Sequence, residues 1–313
     1  MSKPIRFGFN LVNNMAAAHS ASPKEQSQRS TLRKIFCNQR GLRSGWRLAL
    51  YLAFIPPLAI VTSRLLSLFK PVPDTLFAPT IFLIVFLPAL VMSKIEKRSI
   101  GEYGLSGKEA FGTLFLQGCA VGLIEVTALV GFLALVHGYS FGHIVTGGVS
   151  LVKWALENVS DSIGKALFLQ ILFRGYTQFT LAEGISFWSA AVVLSALYMV
   201  IIATSASLNL IGLAIVFIVG LFCSLTLQRT HSLWFAIGMN AAFDFGATFL
   251  YSIPNPAIGL SDHHLSEAAL SGSAWLTGGT MGVEGSPLRI VTVGILIFLV
   301  NKFYPAKTSD SIA

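Results

Sequence analysis

From Leu48 onward the chain is a succession of long apolar runs separated by short polar breaks. Eight such runs, near Leu48–Leu68, Leu76–Met92, Gly112–Val136, Leu167–Leu181, Phe187–Ala206, Leu208–Leu227, Leu233–Tyr251 and Leu288–Val300, approach the roughly 20 residues that a helix needs to cross a bilayer. The pattern predicts an all-α integral membrane protein, a bundle of about eight transmembrane helices. Residues 1–46 read as a basic, largely disordered tail, with a short interfacial stretch at Ile5–Val12 and SASPKEQSQRS from Ser20. Residues 47–305 form one polytopic domain and 306–313 a short tail, since no repeat of fixed period divides the chain.

Composition sharpens this. With 54% hydrophobic and 12% charged residues and a mean hydropathy of +0.70, a soluble globular class is excluded. The segment up to Arg47 holds nine Lys and Arg against Glu25 alone, so it carries the whole net charge of +8. Beside a first span, such a tail predicts a topology signal and contact with anionic lipid headgroups, not nucleic-acid binding. Threaded with the tail inside, Lys94, Lys97, Arg98, Lys108, Arg229, Lys302 and Lys307 all fall on the cytoplasmic side, while Arg64, Lys70, Lys153, Lys165 and Arg289 fall at or near the outer side. Both termini are expected in the cytoplasm, with a bacterial-type plasma membrane as the location. No cleavable signal peptide is expected, because the first apolar run is too long and ends without a small-residue cleavage site. The outer loops are His137–Ser160 and Ser252–Pro287, the latter ending in GGTMGVEGSP, whose glycine density suggests a loop folded back onto the bundle.

Candidate chemistry sits at membrane depth. Arg174 interrupts an apolar run, and charges there normally face a bundle interior or watery cavity with a partner. Gln170, Arg174 and Gln178 follow at i, i+4 and i+8, hence on one helical stripe. Glu125 lies on the third span, and Asn240 and Asp244 lie one turn apart on the seventh. One reading pairs Arg174 with Asp244 or Glu125 as a structural link between helices; the other makes the same three groups a proton relay in a small transporter. No metal site is expected, since none of the six histidines lies mid-span and His263–His264, beside Asp262 and Glu267, read as solvated loop. Cys37, Cys119 and Cys223 are odd in number, widely spaced and placed in the tail and two apolar runs, so no disulfide framework is expected.

FRGY at Phe173–Tyr176, ALY from Ala196, RTHSLWFAIGMNAAFDFG from Arg229 and GGTMGVEGS from Gly278 resemble the CPBP (Abi) family of intramembrane proteases, which includes the type II CAAX prenyl endopeptidases. The likeness centres on about 160–300. It implies Glu-Glu-x-x-x-Arg on one helix, Phe-x-x-x-His on the next and His-x-x-x-Asn/Asp two helices later, with a glutamate base activating water and histidines holding a divalent metal such as zinc or the oxyanion. In this chain the glutamates fall on Leu169 and Gln170. The second motif falls on Tyr198 and Ile202, and the third histidine on Asn240; only Arg174 and Asp244 match. Leucine and isoleucine neither move protons nor bind metals, and amides do not titrate. Losing core members of a catalytic unit costs on the order of 10^4 to 10^6 in rate. The expectation is a pseudoprotease without metal, binding a membrane-protein or lipidated-peptide partner through Gln170, Arg174, Gln178, Asn240, Asp244 and Glu125. The alternative is an active endopeptidase with displaced catalytic groups.

Overall fold

The computed structural model describes residues 37–38, 41–69, 77–205, 210–253 and 263–305. Most of the tail with its interfacial stretch, and Lys70, Asp262 and Lys307, lie outside them. The expected helices are present: α1 (Ser44–Leu66), α2 (Phe77–Ile95), α3 (Thr113–Leu135), α4 (Gly148–Arg174), α5 (Tyr176–Ala182), α6 (Phe187–Ser205), α7 (Leu210–Thr230), α8 (Trp234–Phe245), continued by a π turn at Gly246–Leu250, and, after a four-residue α9 (Ala274–Thr277), α10 (Leu288–Phe303). Five of them, α1, α2, α3, α6 and α7, are long and apolar enough to cross a membrane unaided. Of the remaining helices, α4, α8 and α10 fall short of that measure. α4 carries Lys153, Glu157, Asp161, Lys165 and Arg174 along its 27 residues, while α8 and α10 are short, with 12 and 16.

Two expectations about the loops are corrected. The fourth helix begins at Gly148, some twenty residues earlier than the apolar run, because its N-terminal half is polar on one side and so invisible to a hydropathy reading. The outer loops also contain strands. β3 (Tyr139–Ile144) pairs antiparallel with β4 (Ser266–Leu270), tying together two segments far apart in sequence, beside a small β1–β2 ladder at Cys37–Asn38 and Gly41–Leu42.

Lipid exposure explains the surface. Leu50, Phe54, Ile60, Val61 and Leu65 of α1 are exposed, as apolar side chains facing acyl chains should be, and Tyr51 is the buried residue of that helix. The interior is organised around α8, whose neighbours include α3, α4 and α7. It meets α3 without intervening side chains: a Cβ on Gly118 would lie 2.1 Å from the Phe235 carbonyl oxygen, one on Gly122 2.1 Å from that of Met239, and one on Gly238 2.2 Å from that of Phe115. Small residues spaced four apart let membrane helices pack backbone to backbone.

One end of the bundle is closed by charge. Arg47, at the start of α1, pairs with Glu96 and Glu183, and Arg98 also pairs with Glu183. Glu96 also accepts from Tyr176 and, at 2.9 Å, from Tyr103. Tyr51, Tyr103 and Tyr176 pack over it ring to ring. Arg47 is thus a tether of the first helix to the bundle. Arg229 near the end of α7 donates to Asn301 of α10 (2.5 Å), and Trp234 Nε1 at the start of α8 donates to the Ser106 carbonyl before α3 (3.0 Å).

Burial alone would raise the Glu183 carboxyl, but hydrogen bonds from Arg98 and Arg47, and their charges, hold it below the ordinary carboxylate range. A carboxylate whose folded pKa is depressed contributes stability above its unfolded pKa and loses it as pH falls through the folded value. Acid titration of the purified protein should therefore show a loss of stability below about pH 4 that is reduced in Glu183→Gln. An unchanged acid limb in that variant would mean that Glu183 does not carry it.

Candidate functional site

Between α2, α4, α6, α7 and α8 lies a cavity of about 550 Å³, within the usual range for a small-molecule site. All seven positions that correspond to the protease motifs reach its wall: Leu169, Gln170 and Arg174 from α4, Tyr198 and Ile202 from α6, Asn240 and Asp244 from α8. Helical spacing explains each set, since residues three to five apart project from one face. Gln178 does not join them. α4 breaks at Gly175, whose N–H reaches back to the Gln170 carbonyl (2.8 Å), and beyond the break Gln178 turns to accept from Ser224 Oγ (3.0 Å). The i, i+4, i+8 stripe therefore ends at Arg174.

The expected ion pairs are rearranged. Arg174 meets neither Asp244 nor Glu125. Asp244 accepts from Ser162 Oγ (3.0 Å) and lies 3.7 Å from Lys165, which itself pairs with Asp161 (2.5 Å). Glu125 lies 3.4 Å from Arg289 Nε and accepts from Thr292 Oγ1 (3.2 Å). Arg289 also approaches Glu284 (3.8 Å) and rests over the Phe243 ring, 3.9 Å from its centroid. The carboxylates thus take cations that hydropathy threading put near the outer surface. The glycine loop makes this possible: Gly278, Gly279 and Gly282 have positive φ, and a Cβ on Gly278 would lie 1.8 Å from the Gly282 carbonyl oxygen. The tight turn lays Met281 and Glu284 against the cavity and starts α10 with Arg289 facing inward.

We expect Glu125→Ala and Arg289→Ala to be strongly coupled in a double-mutant cycle, because each single change strands a buried charge. Arg174→Ala and Asp244→Ala should add independently. A coupling energy near zero for the first pair would overturn this assignment.

Where the motifs imply paired glutamates and histidines, the centre of the wall is Cys223 of α7. Its sulfur accepts from Gln170 Nε2 (3.5 Å) and faces Asn240 Nδ2 at 3.9 Å. Among the described residues there is no group of three His, Cys, Asp or Glu able to hold a metal ion, so the residues present do not fit the zinc that the motifs imply. His263 is instead stacked on Trp154, ring centroids 3.3 Å apart, and Glu267 lies 3.5 Å from His143.

Sequence reasoning missed Lys165, Cys223, Glu284 and Arg289 as cavity residues. Lys165 was within reach, lying one turn before Leu169 on the same face. Cys223 carries no signal in an apolar run, and Glu284 and Arg289 arrive only through the loop.

The architecture is that of a multi-pass helical membrane protein with a chamber between its central helices. Residues 151–246 match the family model described as "Type II CAAX prenyl endopeptidase Rce1-like", a segment that contains all seven motif positions. Through this segment the chain is similar to the Rce1-like type II CAAX prenyl endopeptidases. Searches of curated proteins and of solved structures gave no match.

Proposed function

We propose that this protein is a catalytically degenerate member of its family, a membrane chamber that holds a segment of a membrane-protein or lipidated-peptide partner without cutting it. One observation carries the reading: the positions at which the motifs imply the general base and histidines share one cavity wall, and they hold Leu169, Gln170, Ile202 and Asn240. None of these four can accept a proton from water at neutral pH. The two amides offer hydrogen-bonding groups to a bound backbone, which apolar residues there would not.

The test compares cells with the wild-type protein, without it, and with Gln170→Leu combined with Asn240→Leu. Partner abundance and co-purification should depend on the wild-type chamber, with no new peptide fragments. Unchanged co-purification from the double variant would sink the reading.

A second reading, an endopeptidase with displaced catalytic groups, has one observation in its favour. Asp244 and Glu284 both line the cavity, although each already faces a cation. Fragments that appear with the wild type and vanish in Asp244→Asn and Glu284→Gln would establish it. The relay reading loses its middle member, since Arg174 contacts neither carboxylate.

A further inference from the structure

The cavity contains three basic groups, and two of them are neutralised by the protein. Lys165 lies between Asp161 and Asp244, and Arg289 between Glu125 and Glu284. Arg174 is different. It is 3% exposed, yet among the described residues it makes no hydrogen bond and no ion pair. Its guanidinium is held by the faces of Phe173 and Tyr198, 5.7 and 6.0 Å from the ring centroids. A ring quadrupole steadies a cation but does not neutralise it, and a buried charge without counter-charge is costly.

Polar atoms around Arg174 are unpaired too. A Cβ placed on Gly220 of α7 would lie 2.5 Å from Arg174 Nη2 and 2.6 Å from Ser195 Oγ, so the guanidinium and the hydroxyl both pack directly on this glycine, which only the missing side chain permits. Among the described residues, Ser195 Oγ is buried with no hydrogen-bond partner, as is Oε1 of Gln170, one turn before Arg174. Much of the cavity wall that Arg174 shares is aliphatic and aromatic, including Leu169, Phe173, Ile202, Val216 and Val219.

We propose that Arg174, which lines the cavity, is the headgroup site for a monoanion carried on a single apolar chain, a long-chain carboxylate of the fatty-acid type. A carboxylate matches the planar fork of a guanidinium with two parallel hydrogen bonds. One arginine neutralises one charge, which favours a carboxylate over a phosphate dianion, and a chamber of about 550 Å³ suits one chain better than the two of a phospholipid. The anion goes to Arg174 and not to Lys165 or Arg289, because those already have carboxylates. This inference goes beyond the non-cutting reading and does not depend on it: oleate binding would survive the discovery of peptide cleavage, and partner retention would survive a failure to bind oleate.

The experiment uses the purified full chain in detergent micelles, with radiolabelled oleate and radiolabelled methyl oleate as probes. The acid should bind at least about tenfold more tightly than the ester, as loss of a charge-assisted pair requires. Arg174→Gln should remove that preference while Lys165→Gln keeps it. Equal retention of acid and ester by the wild type would overturn the proposal, and this comparison holds even if Arg174→Gln fails to fold. Displacement of oleate by an apolar pentapeptide acid at concentrations far below oleate's own, but not by the peptide amide, would overturn the fatty-acid assignment in favour of a peptide terminus.

Discussion

Valine in place of Gly122 is expected to abolish the folded bundle. The first side-chain carbon would sit 2.1 Å from the Met239 carbonyl oxygen, a distance that no rotamer can relieve because both atoms are fixed by their backbones. α3 would have to withdraw from α8, and with it the packing of Val126, Leu129 and Phe243 around the lower core. Overpacking a core costs about 1–3 kcal/mol when side chains can yield; here only helices can, so the effect should exceed the upper end of that range. Gly118→Val should behave alike, against Phe235. Gly131, on the same helix with nothing within 4 Å of a built Cβ, serves as the control. Monodispersity and thermal unfolding in detergent would check this, and a Gly122→Val protein as stable as Gly131→Val would refute the close approach.

The second large effect is expected at Glu96. Its carboxylate accepts from Arg47, Tyr103 and Tyr176 while its side chain is only 9% exposed, and Arg47 is 12% exposed. Glu96→Ala leaves the mostly buried Arg47 with Glu183 as its remaining carboxylate and two tyrosine hydroxyls without their acceptor. Breaking a buried pair by removing one partner costs on the order of 3–5 kcal/mol when the charge left behind is unpaired, so the loss here should fall at the lower end of that range. Replacing Arg47 and Glu96 together by leucine should cost less than the alanine change alone, because no charge is then stranded. Unfolding of the two variants in detergent decides it. If the double variant were the less stable, Arg47 would owe its role to Glu183 instead.

These two sites show how unevenly the chain discloses itself. Gly118, Gly122 and Gly238 look, in sequence, like any glycines of apolar runs; only the approach of α3 to α8 gives them a purpose. The helices themselves were legible, because a bilayer demands about 20 apolar residues and the chain supplies eight runs near that length. α4 escaped over its first half, where Lys153, Glu157 and Asp161 dilute the hydropathy. The candidate site was legible in its motif positions, since spacing along a helix decides which residues share a face. Its ion pairs were not: Asp244 and Arg174 are both charged and both line the cavity, yet the nearer cation to Asp244 is Lys165.

By itself, then, the sequence determined the membrane class, the order of the helices and which residues of its central core share a helix face. These follow from hydrophobicity and from fixed helical spacing, which are local properties. The tertiary structure alone decided which charges meet, that Gln178 leaves the stripe at Gly175, that the glycine loop brings Glu284 and Arg289 to the chamber, and that Arg174 stands beside Gly220 and Ser195 without a carboxylate. The reason is that charge pairing in a low-dielectric interior depends on separations of a few ångströms between helices, and those separations are set by backbone packing that no single stretch of sequence contains.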